Sequence, residues 1–539
     1  MRAPQARLKR LPDESWKCFQ PSLRDGNSTP HAAFETPDYY QAFLRDAINY
    51  PLAMPAKNKS GLAFWMQRVL EECDRASVAF APDPVHDLRV ALRRCCSMAD
   101  GIAAIDPDPS WKQMKKAGKR LFSSLGELRD AQVMEEWVHK LDAPGDPVTS
   151  NLLNYLAVQE MNFKAQAAVA LQEFDRKQWR KWCRLLPSRA SRLRPGSAIF
   201  RHLALERWMD GYKLHQQAMR NRSQIALHSL RIGIKRFRYI VENFLPQQHE
   251  AWAGDLKNLQ DLLGDVHDLD VLWATAVQIN AFPDAESKLR WRAKITEERD
   301  KRVQKYRDKT LGKTGLWQQW REALPQGKEI EAIGLQRLKL WASYLDPDVQ
   351  HSTHVARLAL QLYDGLASEG LVVNNGTNRR SILQLAALLH DVGRSREEKA
   401  HHKTTYKLVH RLTPPLGWSA QDVSMAGTIA RYHRGALPRG AQKPLRGATL
   451  PQRQEVARLA GILRLANALD SKQDRRIQKL ELAQKNGVLI VFAQGYSSRD
   501  RSAETIAAAR HLLETTYRRP ILVKPLPATK PHSNHKKTA

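Results

Sequence analysis

The dipeptide His390-Asp391 sets an imidazole beside a carboxylate at the end of the apolar run LQLAALLH, and His351 lies thirty-nine residues upstream. Side by side, these groups can bind one divalent cation. More histidines follow in AHHKTTYKLV and ARYHRGALP, and LRLANALD comes after them. A lone helical histidine is usually structural, whereas an ordered H…HD…H…H series is much less often so. The second chemistry is electrostatic. HSLRIGIKRFRY, residues 228–239, carries a histidine, a lysine and three arginines, and HDLRVALRR at residues 86–94 is a near copy. At helical spacing His86, Arg89 and Arg93 form one stripe, and His228, Arg231 and Lys235 form its counterpart, with Arg94 and Arg236 one step round. Lys112, Lys116 and Lys119 share another face. Like charges one turn apart repel by about 0.2–0.5 kcal/mol per pair, and an anion would offset that. A solvated charged face is the bland alternative. Against it, carboxylates are sparse on these stripes and the pattern occurs twice.

The elements that must carry these residues are mostly helices. Apolar residues recur at three and four spacings from SGLAFWMQRVLEE to about residue 325, broken at FAPDP, IDPDPS, DAPGDP and LRPGS. The repeat continues downstream: KRLFSSLGELRDAQV from Lys119 aligns with KNLQDLLGDVHDLDV from Lys257. Two such units about 140 residues apart imply a duplicated helical domain with pseudo-twofold symmetry. A second helical block runs from about 330 to 480. NGVLIVFAQG and RPILVKPL then read as two short strands flanking the helix SAETIAAARHLLETTY. The expected organisation is an extension over 1–58 with one short helix around YYQAFLRDAI, a duplicated domain over 59–325 (repeats about 60–190 and 200–325), a helical domain over 330–480, a small α/β element over 481–525 and a disordered basic tail over 526–539.

The 539 residues include 86 Lys and Arg against 56 Asp and Glu, a net charge of +30 that favours polyanionic partners: nucleic acid, anionic lipid or phosphate polymers. Five cysteines, without a C-x-x-C pair, argue against a disulfide framework or zinc ribbon and for a reducing cytosol. The start of the sequence has no apolar signal core, and the longest apolar runs are too short to span a bilayer. The expectation is a cytoplasmic protein with no membrane partner.

VHDLRVALRR…LGELRDAQV and LHSLRIGIKRFRY…LQDLLGDVHDLDVL resemble both halves of a CHAD (conserved histidine α-helical) domain. The resemblance implies a pair of four-helix bundles around a basic channel that binds inorganic polyphosphate. By position the lining would be His86, Arg89, Arg93, Arg94, Lys116, Lys119, His228, Arg231, Lys235, Arg236 and Lys257, with Asp130 and Asp268 orienting cations or capping a helix. Association with polyphosphate granules would follow. Nucleic acid is the rival polyanion, but the fourteen Trp residues sit in apolar-periodic contexts such as KQWRKWCRLL.

The H…HD…H…H series is similar to the HD superfamily of metal-dependent phosphohydrolases. HHKTTYKLV, IARYHRGALP and LRLANALD look like the carboxy-terminal part of exopolyphosphatase/guanosine-pentaphosphatase proteins. By position His351, His390 and Asp391 would hold a metal (Mg, Mn or Fe), with His402 and His433 at a second metal or a phosphate, and Arg434 and Lys403 on phosphate oxygens. The last ligand is usually the Asp of AD-x-L-D, and Asn467 stands there in ANALD; Asp470 would partly substitute. The glycine-rich ATPase-type domain that hydrolyses polyphosphate in those relatives has no counterpart here. The expected fold is therefore mainly α, a duplicated four-helix-bundle CHAD domain followed by a helical HD-type domain with a small α/β element. The expected function is polyphosphate binding with a degenerate HD domain; metal-dependent phosphohydrolysis and nucleic-acid binding are the alternatives, and Asn467 decides whether the protein is an enzyme.

Overall fold

Helix lengths repeat along the first half of the chain. After α1 (Leu62–Val78) come α2 (Pro82–Ala103), α3 (Pro109–Leu141) and α4 (Pro147–Gln172); after α6 (Ala198–Arg220) come α7 (Gln224–Phe244), α8 (Pro246–Gln278) and α9 (Ala285–Thr310). The pairs α3/α8 and α4/α9 match at 33 and 26 residues. Shorter helices, α5 (Arg176–Ala190) and α10 (Leu316–Glu322), close the two halves. The computed structural model describes residues 61–78, 82–141, 145–372, 378–499 and 501–526. The extension expected over 1–58 and the tail beyond residue 526 lie outside them.

Each half buries one stripe of its helices. In α2, Val85, Leu88, Leu92, Cys95 and Ala99 are inside; in α7, Leu227, Leu230, Ile234, Phe237 and Val241 are. This spacing of three and four gives one apolar face per helix. Across the molecule α2 packs against α7, and α3 against α8, so like helices meet like. A smaller core joins the far ends of α3 and α8 to α4 and α9. There Asp146 caps α4 through Val148 N at 3.1 Å and also accepts Trp291 Nε1 at 2.9 Å.

The helix α11 (Lys328–Ser343) belongs to two cores. Its Leu338, Trp341 and Ala342 lie in the carboxy-terminal core, whereas Ile330 and Leu340 pack on the first. Arg337 reaches from α11 to Glu206 Oε1 of α6 at 2.7 Å and to Ala104 O at 3.2 Å. Glu206 Oε1 also accepts Leu416 N at 3.1 Å, and His202 Nε2 lies 2.9 Å from Leu416 O. Burial alone would raise the Glu206 carboxyl, but the Arg337 guanidinium holds it below its ordinary range.

The carboxy-terminal core is built by α12 (Val349–Ser368), α13 (Arg379–Leu389), α14 (His401–Val409), α15 (Ala420–Arg431), α16 (Leu450–Leu469) and α17 (Ser502–Tyr517). A three-stranded sheet of β1 (Leu480–Lys485), β2 (Val488–Ala493) and β3 (Ile521–Pro525) closes it, with β2 central. Two of these strands were expected from the sequence; the third, β1, is LELAQK, whose charges mask the alternation. The pair Asn486-Gly487, both at positive φ (50° and 78°), turns β1 into antiparallel β2. β3 runs parallel to β2 after α17.

Candidate functional site

The α2/α7 seam brings the two cationic stripes together. Burial, followed by the charges of Arg231 and Arg93, pulls the Lys235 ammonium down to about 7, with Asp268 and Asp130 opposing. Burial raises the Asp130 carboxyl although Arg89, Arg231, Lys235 and Arg129 all oppose the shift. Asp268 is pushed up to about 6 by burial, opposed chiefly by Arg231. Arg89, Arg93 and Arg129 of one half therefore share an electrostatic neighbourhood with Arg231 and Lys235 of the other. Among the described residues Arg93, Arg231 and Lys235 form no ion pair, and Arg231 Nε is buried without a partner. Arg89 is steered by α3: Nη1 donates to Phe122 O at 3.3 Å, and the guanidinium lies 4.5 Å over the Phe122 ring.

Other expected lining residues are placed differently. Arg94 turns to Glu242, donates to Asn243 Oδ1 at 3.3 Å and stacks on Trp65, so it ties α2 to α7. Arg236 is exposed and acts on Asp210 of α6. His86, Lys116, Lys119 and Lys257 are exposed on α2, α3 and α8. His228 does sit in it: its Nδ1 is 3.2 Å from His267 Nδ1. Burial, then Arg231, His228 and Lys235, push His267 down to about 3. Sequence reasoning missed Arg129 and His267; the adjacency of His267 to Asp268 in GDVHDLD was the available signal for one of them.

The carboxy-terminal domain gathers a second cluster. His390 and Asp391 end α13, His351 opens α12, His401 opens α14 and His433 follows α15. His390 Nε2, His401 Nε2 and His433 Nε2 lie 3.5, 3.2 and 3.8 Å from Asp391 Oδ1. Each ring is oriented from behind, with Nδ1 at 2.7–2.8 Å from Ala387 O, Glu398 O or Ala430 O. Those carbonyls only accept, so each Nδ1 carries a proton and each Nε2 is turned toward Asp391. Burial alone would lower the His401 imidazole, but the contact to Asp391 raises it. Burial alone would raise the Asp391 carboxyl, yet His390, His401 and His433 hold it far below its usual range. Burial keeps His433 neutral.

Position along the chain pointed to His402; the structure puts its neighbour His401 at the cluster, because His401 is on the buried face of α14. His402 instead faces Gly435. Arg434 and Lys403 are exposed, and both act on His402. Asn467 Oδ1 lies 3.1 Å from His351 Nε2. Asp470 points elsewhere than expected: its Oδ2 is 2.7 Å from His351 Nδ1, on the far side of the ring. Arg394, also missed, donates to Asp391 Oδ2 at 3.3 Å and to Glu398.

Two groupings have metal-site geometry: His351, His390 and Asp391, and Asp391, His401 and His433, each with ligand atoms within 4.8 Å. The residues fit a cation. His390 Nε2 is buried without a hydrogen-bond partner, and His401 Nε2 and His433 Nε2 lie 3.2 Å apart. A divalent cation would satisfy all three.

The family model of the CHAD domain matches residues 66–277, and that of Ppx/GppA phosphatase, domain III, matches residues 338–502. The crystal structure of the CHAD domain from the plant Ricinus communis is similar at 19% identity and a TM-score of 0.35, covering 51% of this chain and 97% of that one. No curated protein matches. The chain thus carries, in order, a CHAD domain and a Ppx/GppA-type domain III.

Proposed function

We propose that the protein binds inorganic polyphosphate along the α2/α7 seam. The observation that carries this reading is the convergence of Arg93, Arg231 and Lys235 from two helices without an ion-pairing carboxylate among the described residues. Half-buried cations facing one another raise the free energy of the empty site, and an anion laid between them lowers it. Polyphosphate supplies closely spaced charge and no bases, so arginine forks and lysine point charges suffice. Nucleic acid is favoured less: Trp111, Trp179, Trp291, Trp317 and Trp320 are fully buried in cores, where no base can stack on them. No described helix is long and apolar enough to cross a membrane. The test is titration of labelled long-chain polyphosphate at several salt concentrations. The logarithm of affinity falls linearly with the logarithm of salt, by about 0.7–0.9 per phosphate contact if nucleic-acid behaviour transfers. Combined Arg93→Glu and Arg231→Glu abolishes binding with helicity intact; unchanged binding rejects the reading. Polyphosphate displaces duplex DNA at equal charge, and the opposite order favours the nucleic-acid rival.

A second reading, a metal-dependent phosphohydrolase, is favoured by the three Nε2 atoms aimed at Asp391 Oδ1. His351, His390, Asp391, His401 and His433 would hold the metal, with the Asn467 carbonyl as a neutral ligand. An imidazole-rich set with one carboxylate suits Mn or Fe better than Mg. A bound divalent cation would act as a Lewis acid on a phosphoryl oxygen. The protein's own part is to orient each ring through its Nδ1 contact and to hold Asp391 ionised. Metal analysis of freshly purified protein, and phosphate release from polyphosphate or guanosine pentaphosphate with Mn²⁺, decide it. His390→Ala abolishes any such activity and leaves polyphosphate binding unchanged.

A further inference from the structure

We infer that Asp470 supplies, through His351, the negative charge that Asn467 withholds from the carboxy-terminal cluster, and so acts as a positioning residue of a working cation site. This rests on reading the cluster as a metal site. His351 and Asp470 face each other across α12 and the end of α16, with side chains 4% and 1% exposed and a Nδ1–Oδ2 distance of 2.7 Å. The other oxygen, Asp470 Oδ1, accepts Arg475 N at 2.8 Å, which fixes the carboxylate plane. A carboxylate only accepts, so His351 Nδ1 carries a proton and Nε2 is turned away from Asp470. It points at Asn467, whose Oδ1 is 3.1 Å away. A proton on Nε2 satisfies that contact, and a cation would take the place of that proton.

The placement follows from the helix. Asp470 comes three residues after Asn467 and is the C-cap of α16, where the chain leaves the helix. The same turn therefore offers a neutral oxygen to one nitrogen of His351 and a charged oxygen to the other. An aspartate at 467 would put its charge on the cation directly. Asp470 delivers it one ring further out, by raising the basicity of the imidazole that faces the cation. The bland account is that Asp470 only caps α16 and ties it to α12. The isosteric change Asp470→Asn keeps the shape but removes the charge and one of the two acceptors, so rescue by Asn467→Asp separates the two: a charge at 467 restores the cation site and does not restore the cap.

The experiment titrates chelator-treated full-length protein with Mn²⁺ and with Co²⁺ by calorimetry. Wild type binds, Asp470→Asn binds about 10–100-fold more weakly, and Asn467→Asp added to Asp470→Asn restores affinity to within about tenfold of wild type. Asp470→Asn within twofold of wild type overturns the inference and leaves the metal site standing. Wild-type protein that binds neither cation while still binding polyphosphate overturns the metal-site reading and this inference together. The double variant keeps the charge of the cluster, so it serves if the single variant does not fold. An affinity for it more than a hundredfold below wild type overturns the inference.

Discussion

Under the proposed polyphosphate reading, Lys235 links the charge of the α2/α7 seam to pH. In the unfolded chain its ammonium titrates at the ordinary 10.5, and in the fold near 7. Between those limits the unfolded state holds more protons, so this group's contribution to stability rises with pH from about 7 to about 10.5 and is lowest, and constant, below 7. Asp268 acts in the opposite sense: raised from 3.8 to about 6, it favours the fold below its unfolded value and loses that contribution as pH climbs to 6. A polyanion in the channel favours protonated Lys235 and Asp268, and favours charge on His228 and His267. Binding therefore takes up protons, and affinity rises several-fold from pH 8.5 to pH 6.5. Calorimetry in buffers of different ionisation enthalpy measures the uptake, and Lys235→Met removes most of it above pH 7. A neighbouring glycine gives a test in which stability and binding move oppositely. A Cβ on Gly126 would stand 3.2 Å from Arg89 Nη1, whereas the equivalent Gly264 meets nothing within 4 Å. Alanine favours each helix by about 1 kcal/mol over glycine. Gly126→Ala should raise the melting temperature yet weaken polyphosphate binding several-fold, because Arg89 must shift. Gly264→Ala should raise it without touching binding.

At the scale of elements, the sequence carried the duplication plainly, because a repeated apolar stripe with a repeated basic stripe leaves two signals in register. Arg89, Arg93, Arg231 and Lys235 were legible for that reason. Arg94 was not: one step round the helix it finds Glu242 on α7, a partner 148 residues away that no local pattern announces. His401 and His402 differ only in which side of α14 meets the core, which adjacency in sequence cannot decide. Strand β1 was hidden because Glu481, Gln484 and Lys485 occupy its exposed or half-buried positions, so its pairing comes from the turn and from β2. That turn is testable. Gly487 sits at φ 78° and Asn486 at φ 50°. Gly487→Ala puts a Cβ into left-handed backbone, at a cost of about 1–2 kcal/mol. Chemical denaturation should show that loss, and polyphosphate binding should be unaffected because the sheet lies outside the channel helices.

At the scale of the whole chain, α11 makes the two domains one mechanical body. Its apolar residues enter both cores, and its Arg337 is the only described cation that forms an ion pair with the half-buried carboxylate of Glu206 at hydrogen-bonding distance, 2.7 Å. Glu206 in turn receives Leu416 N from the loop before α15, so one carboxylate joins α6, α11 and that loop. Removing the cation while leaving the acid should be costly, but by less than the ~3–5 kcal/mol of a fully buried unpaired charge, because Glu206 is half-buried and keeps the Leu416 amide. Neutralising both should cost less, because the Leu416 amide can still donate to a neutral oxygen. Scanning calorimetry distinguishes these cases. Wild type should unfold in a single transition. Arg337→Met should split it, with the junction released first and each domain melting at its own temperature. Arg337→Met with Glu206→Gln should recover much of the lost stability and move the two transitions back together. A single, unshifted transition in Arg337→Met would mean that apolar packing of Leu338, Trp341 and Leu340 holds the domains together without the ion pair.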